Sequence, residues 1–173
     1  MAEQSNGGVN IERVENLSIV SLKIARKSLA DAPDKLRLAA PVSATDSDPR
    51  SLWLGPDHWL LVSNSKTPDV IVSGCKSALT AIPHNAVDYS AGLAALRIVG
   101  PNARQLLATG TGIDLRSGSF PIDSCCRTRL AQIAAVIVAE APEAYTVYVD
   151  RSYETYLTDW LAESASIYFS YRN

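Results

Sequence analysis

The chain has 173 residues, enough for one domain with a substantial core or for two small halves packed together. It is 47% hydrophobic and 20% charged, with a net charge of −2 and a mean hydropathy near zero, an ordinary soluble composition. No lysine/arginine stripe is visible that would track phosphates, and the longest apolar run, AQIAAVIVA over 131–139, is far short of a membrane span.

The first ten residues, MAEQSNGGVN, lack a basic region followed by an apolar stretch, so they read as a flexible tail and the expected compartment is the cytoplasm. Residues 18–26, SIVSLKIAR, alternate apolar and polar side chains and predict a half-buried strand. The segment 28–50 contains Pro33, Pro41 and Pro49 and is expected to be loop-rich, with one short strand near 36–39. LWLGPDHWLLVS over 52–63 is two apolar runs around Gly-Pro-Asp, hence a hairpin. After Pro68, Ile71, Cys75, Ala78, Leu79 and Ile82 recur at the helical period, and Pro83 is expected to stop that helix.

Strands are expected at 87–90 and 93–99, followed by a helix from Pro101 to about Thr109 that Gly110 and Gly112 end. A loop, IDLRSGSFPIDS, comes next. Residues 127–139 and 144–150 read as a hairpin turning at Ala-Pro-Glu-Ala. In the closing helix, RSYETYLTDWLAESA, Tyr153, Tyr156, Leu157, Trp160, Leu161 and Ser164 share one face.

LWLGPDHWLLVSNSKTPDVIVSGCKSAL and AVIVAEAPEAYTVYVDRSYETYLTDWLAE have the same order of strand, turn, aromatic-rich strand and amphipathic helix. The pattern predicts an α+β fold of two β-β-α halves related by a pseudo-two-fold axis. The tail 1–10 is then followed by a single α+β domain, 11–173, with halves at about 11–84 and 85–173.

LRIVGPNARQLLATG, over 96–110, passes from strand to helix through Gly-Pro, the place where many proteins hold a phosphate. A dinucleotide loop needs further glycines, and here Gly100 is followed by Pro-Asn-Ala-Arg-Gln-Leu. Proline suits a first helical position and glycine a sharp reversal, so the turn reads as structural. A thiol nucleophile would need Cys125 or Cys126 with His58 or His84 and an acid such as Asp123. No neighbour activates either cysteine, so two free thiols are expected; Cys75 falls on a helical apolar face. Two histidines without an acidic cluster do not make a metal site. No catalytic, cofactor-binding or metal-binding residue is therefore assigned. Tyr168, Phe169 and Tyr171, too apolar for a solvated tail, are expected to be a last edge strand or anchors on a partner.

DYSAGLAALRIVGPNARQLLATGTGIDL, followed by CRTRLAQIAAVIVAEAPEAYTVYVDRSYETYLTDWL, resembles the gamma subunit of heterotetrameric sarcosine oxidase over roughly 52–165. More distantly the pattern is similar to the folate-binding T-protein of the glycine cleavage system, whose T-protein-like fold of repeated α+β units matches the repeat. In that protein the strand matching 133–138 carries a glycine pair and an aspartate that works on the folate adduct; here it is IAAVIV, without an acid. The resemblance implies a non-catalytic gamma subunit with alpha, beta and delta subunits as partners, and no nucleic acid or membrane. It implies a complex that oxidatively demethylates sarcosine using FAD, FMN, NAD and tetrahydrofolate, none of them bound by this chain. Two alternatives stay open: a stand-alone folate-binding or one-carbon transfer protein, and the gamma subunit of a sister complex such as N-methylglutamate dehydrogenase.

Overall fold

The computed structural model describes residues 8–170. The described strands are β1 (Asn10–Arg13), β2 (Ser18–Ile24), β3 (Arg50–Gly55), β4 (His58–Ser63), β5 (His84–Asp88), β6 (Leu93–Val99), β7 (Cys125–Leu130), β8 (Ile133–Ala141) and β9 (Ala144–Asp150). The helices are α1 (Pro68–Ala78), α2 (Ala103–Ala108) and α3 (Glu154–Ser170). Two sheets result, ordered β3-β4-β2-β5 and β1-β6-β9-β8-β7. The chain divides into two compact units, one of residues 16–93 and one joining residues up to 15 with those from 94 onward.

In the 16–93 unit, alternation along β2 sends Val20, Leu22 and Ile24 to one face, where they meet Trp59, Leu61 and the α1 residues Ile71, Cys75 and Leu79. Helix α1 starts at Pro68, whose missing N–H costs nothing there, with Asp69 in the favourable first turn. It ends at Ala78, a turn before Pro83, where the Leu79 N–H bonds the Cys75 carbonyl. The strand expected near 36–39 does not form. Short 3-10 turns occupy Arg26–Asp31 and Asp34–Leu36, and Arg37 takes positive φ. Ala39 is held instead by side chains: its N–H donates to Ser51 Oγ at 3.0 Å, and its carbonyl accepts the Trp59 indole N–H at 2.9 Å.

The order β5-β2-β4-β3, with all three pairings antiparallel, is that of a split β-α-β-β-α-β unit, with 3-10 turns in place of its first helix. The second unit repeats it as β1-β6-β9-β8, with β7 added at the edge. The strand beside β6 comes from the chain's beginning, however. Val9 is buried and Asn10 pairs with Val99, so the expected tail already belongs to the fold at Val9; residues 1–7 lie outside the described residues. Residues 11–15 join the second unit and 85–93 the first, which moves the division between the halves from its expected place. An ion pair at 2.8 Å ties Arg13 to Glu154 at the start of α3.

The core of the second unit is built from Leu96, Ile98, Leu106, Leu107, Ile137, Val147, Leu157 and Leu161. The single strand expected over 127–139 is two strands, broken at Ala131 and Gln132, both with positive φ as a tight two-residue hairpin requires. Neither is glycine, and the turn is held from outside. The Ala131 N–H donates to the Gly110 carbonyl at 3.0 Å, and the Ala131 carbonyl accepts the Tyr156 hydroxyl at 2.9 Å.

Helix α3 runs unbroken to Ser170, so residues 166–170 are helical and not an edge strand. Its fully buried line is Leu157, Leu161 and Ala165. Tyr153 and Tyr156, expected on the inner face, are each 46% exposed. Trp160 is partly buried, its ring lying where a side chain on Gly110 would stand.

Candidate functional site

At the Gly-Pro joint the backbone of Gly100 lies against that of Gly8. Gly100 has φ of +137°, and its α-carbon lies so close to Gly8 that a Cβ would stand 1.9 Å from the Gly8 carbonyl oxygen. The Gly100 N–H donates to the Glu143 carbonyl at 2.8 Å, and the Ala103 N–H to the Gly100 carbonyl at 2.9 Å. Helix α2 begins at Ala103 rather than Pro101, because residues 101–102 are used in the turn.

Cys125 and Cys126 are consecutive on a regular strand, so their side chains take opposite faces. Cys125 is buried; Cys126 packs at the margin of the core and bonds the Arg127 carbonyl at 3.6 Å. Burial pushes the Cys126 and Cys75 thiols up from their ordinary value, the reverse of what an activated nucleophile needs. Alkylation of the native chain at Cys126 should therefore be slow at neutral pH and gain about tenfold per pH unit up to pH 9 and beyond. Iodoacetamide labelling followed by mass spectrometry checks this; a rate that levels off below pH 8 would contradict it.

The histidines lie in the 16–93 unit and the paired thiols in the other. Lys23 of β2 pairs with His58, and its neighbour Ile24 pairs with His84, so the two rings sit on opposite faces of the sheet. His58 opens β4 rather than lying in the turn, and its Nε2 shares a 2.9 Å hydrogen bond with Ser21 Oγ. His84 Nδ1 lies 2.8 Å from the Ile82 carbonyl. Sequence reading misses the Ser21 contact because β2 and β4 are distant in the chain. Asp123 turns the chain before β7 with φ of 64°, its N–H bonding the Ala139 carbonyl. No group of three or more His, Cys, Asp or Glu that could hold a metal occurs among the described residues.

Strand β8 reads Ile-Ala-Ala-Val-Ile-Val over 133–138, with Ala135 through Ala139 buried, so hydrocarbon fills its centre. A cavity of about 380 Å³ within the 16–93 unit is bordered by Asp48 and Lys66 over Leu61, Ile71 and Cys75. Hydrogen bonds from Ser63 and Ser65, with the Lys66 charge, hold the Asp48 carboxyl below its usual range. That carboxylate is already committed.

Helix α3 carries the exposed apolar side chains Tyr156, Ile167 and Tyr168, and Tyr153 is exposed just before it. Tyr168, 38% exposed, lies in its last turns; Phe169 is in the same helix, and Tyr171 lies outside the described residues. No described helix is long and apolar enough to cross a membrane.

This is an α+β protein of two antiparallel sheets, built from a repeated strand–strand–helix unit. The model of the sarcosine oxidase, gamma subunit family matches residues 27–167, and the chain belongs to that family. A chain of the heterotetrameric sarcosine oxidase from Corynebacterium sp. U-96, solved with pyrrole 2-carboxylate, superimposes with a TM-score of 0.80. It is 23% identical, over 93% of this chain and 85% of that one. The glycine cleavage system aminomethyltransferase T from Bartonella henselae shares the fold at a TM-score of 0.64 and 12% identity. That match covers 89% of this chain and 45% of that enzyme, so the present chain spans less than half its length. No curated protein matches the chain in sequence.

Proposed function

We propose that this chain is a non-catalytic, structural subunit of a sarcosine oxidase-type complex, assembled with alpha, beta and delta subunits in the cytoplasm. In this reading FAD, FMN, NAD and tetrahydrofolate are held by the other subunits, and this chain offers them a rigid surface. The observation that carries it is the family match over 27–167 joined to the hydrocarbon centre of β8, where the T-protein resemblance puts a working aspartate. Thiols on opposite strand faces and histidines on opposite sheet faces support it, since neither pair can act as a unit. The partner contact is assigned to Tyr168, Phe169 and Tyr171, and the exposed Tyr156 and Ile167 of α3, with Tyr153 just before it, extend that surface. Aromatic side chains in that number favour a covered surface over a solvated one.

Co-expression with the other three subunits tests the reading. Sarcosine-dependent peroxide formation should belong to the assembled complex and be absent from the isolated chain. Replacing Cys125 and Cys126 by serine should leave the turnover of the complex unchanged. A hundredfold loss, about 2.7 kcal/mol of transition-state stabilisation, would mean that a thiol takes part in the chemistry.

A further inference from the structure

Strand β7 is the outer strand of its sheet. The turn joining it to β8 has two central residues of positive φ, so Leu130 and Ile133 form the closing hydrogen-bonded pair. Alternation then places Thr128 and Cys126 in hydrogen-bonded pairs with Ala135 and Ile137. The bond from the Ala139 N–H to the Ser124 carbonyl keeps this even-numbered phase at the far end. The N–H groups of Arg127 and Arg129 therefore point away from β8, along the open edge. Both arginines are exposed. Arg129 reaches the Gln132 carbonyl at 2.8 Å, and no carboxylate pairs with either guanidinium among the described residues. Just ahead of the strand, Ile122 is 52% exposed.

We propose that β7 is a strand-addition site for an extended segment of another subunit, carrying carboxylates two residues apart. The segment pairs with the outward N–H groups of the edge and sets its carboxylates opposite Arg127 and Arg129, while its flank covers Ile122. Main-chain bonds supply affinity in this mode and alternate side chains supply selection. The occupant is another subunit and not a second copy of this chain. Antiparallel self-pairing about Thr128 would set Arg127 of one copy against Arg129 of the other, like charges face to face. The proposal rests on the gamma-subunit reading.

Amide hydrogen exchange, resolved to single residues, tests it on the free chain and on the four-subunit complex. The Arg127 and Arg129 amides should exchange at least about tenfold more slowly in the complex, while Thr128 is protected in both. Two variants accompany the measurement. Arg127→Pro removes a donor of the added pairing and none of the β8 ladder; Arg127→Glu with Arg129→Glu reverses the charge and keeps the backbone. Both should keep the free chain's thermal midpoint and lower the yield of complex about tenfold or more. If Arg127→Pro fails to fold, the glutamate pair decides. Unchanged exchange together with normal assembly of the glutamate variant would overturn the proposal, leaving the arginines as a guard against edge aggregation. A wild-type chain that assembles with none of the three subunits would overturn the gamma-subunit reading, and this proposal with it.

Discussion

Gly100→Ala should be among the most damaging single substitutions in this chain. The new methyl group would stand 1.9 Å from the Gly8 carbonyl oxygen, on backbone held at φ of +137°. Both terms act together, because β1 begins two residues after Gly8 and pairs along β6. The substitution must either strain the turn or push the N-terminal segment off the sheet. The expected loss is roughly 3 kcal/mol or more, which for a chain of this size lowers the thermal midpoint by about 6–12 °C. Circular dichroism melting curves measure it. Making the same substitution in a chain lacking residues 1–9 separates the causes. A cost that shrinks there belongs to the Gly8 contact, and a cost that persists belongs to the backbone angle. A midpoint within a degree or two of the wild type would refute the geometry at this turn.

Leu161→Ala is the second. Leu161 is fully buried at the middle of α3, packed into the core with Leu157 and Ala165. Removing three carbons there leaves a cavity that the sheet and helix cannot close, at a cost of about 3–4 kcal/mol. Trp160→Ala should cost somewhat less, near 3 kcal/mol, because the ring is only partly buried. A double-mutant cycle identifies where that ring packs. A Cβ on Gly110 would come within 2.4 Å of the Trp160 ring and 3.0 Å of a Leu130 methyl, so Gly110→Ala should be harmful with the tryptophan and clearly less so without it. Coupling of about 1 kcal/mol or more is expected from chemical unfolding. Additive effects would mean that the ring lies elsewhere.

The same packing sets where the aromatic side chains in and just before α3 lie. The helical period puts Tyr153, Tyr156, Leu157, Trp160 and Leu161 on one broad face. Period alone cannot say how wide a stripe the core accepts. In the fold it accepts Leu157, Leu161 and Ala165, and the tyrosines fall outside. Tyr156 still has a task, since its hydroxyl holds the hairpin turn at Ala131. A turn of Ala and Gln carries none of the glycine or asparagine that marks one, so it was invisible along the chain. The helical course of residues 166–170 was equally hidden. Aromatic residues favour strands in isolation, but a helix already docked at Leu157 and Leu161 extends at little cost.

Local signals did carry a great deal. The proline and aspartate that start α1, the alternation of β2, the hairpin around Gly-Pro-Asp and the repeated strand–strand–helix order can each be read from a few neighbouring residues. So can the family, whose motifs are stretches of contiguous sequence. Each of these depends on backbone preference or on the period of apolar side chains, properties that act over one or two turns. Tertiary structure alone decided which strands become neighbours. Nothing within residues 8–13 announces that they will complete the sheet beside β6, some eighty residues away, or that Gly100 is glycine because Gly8 lies against it. Those choices come from the competition of all strands for partners and burial, which short-range preference does not contain.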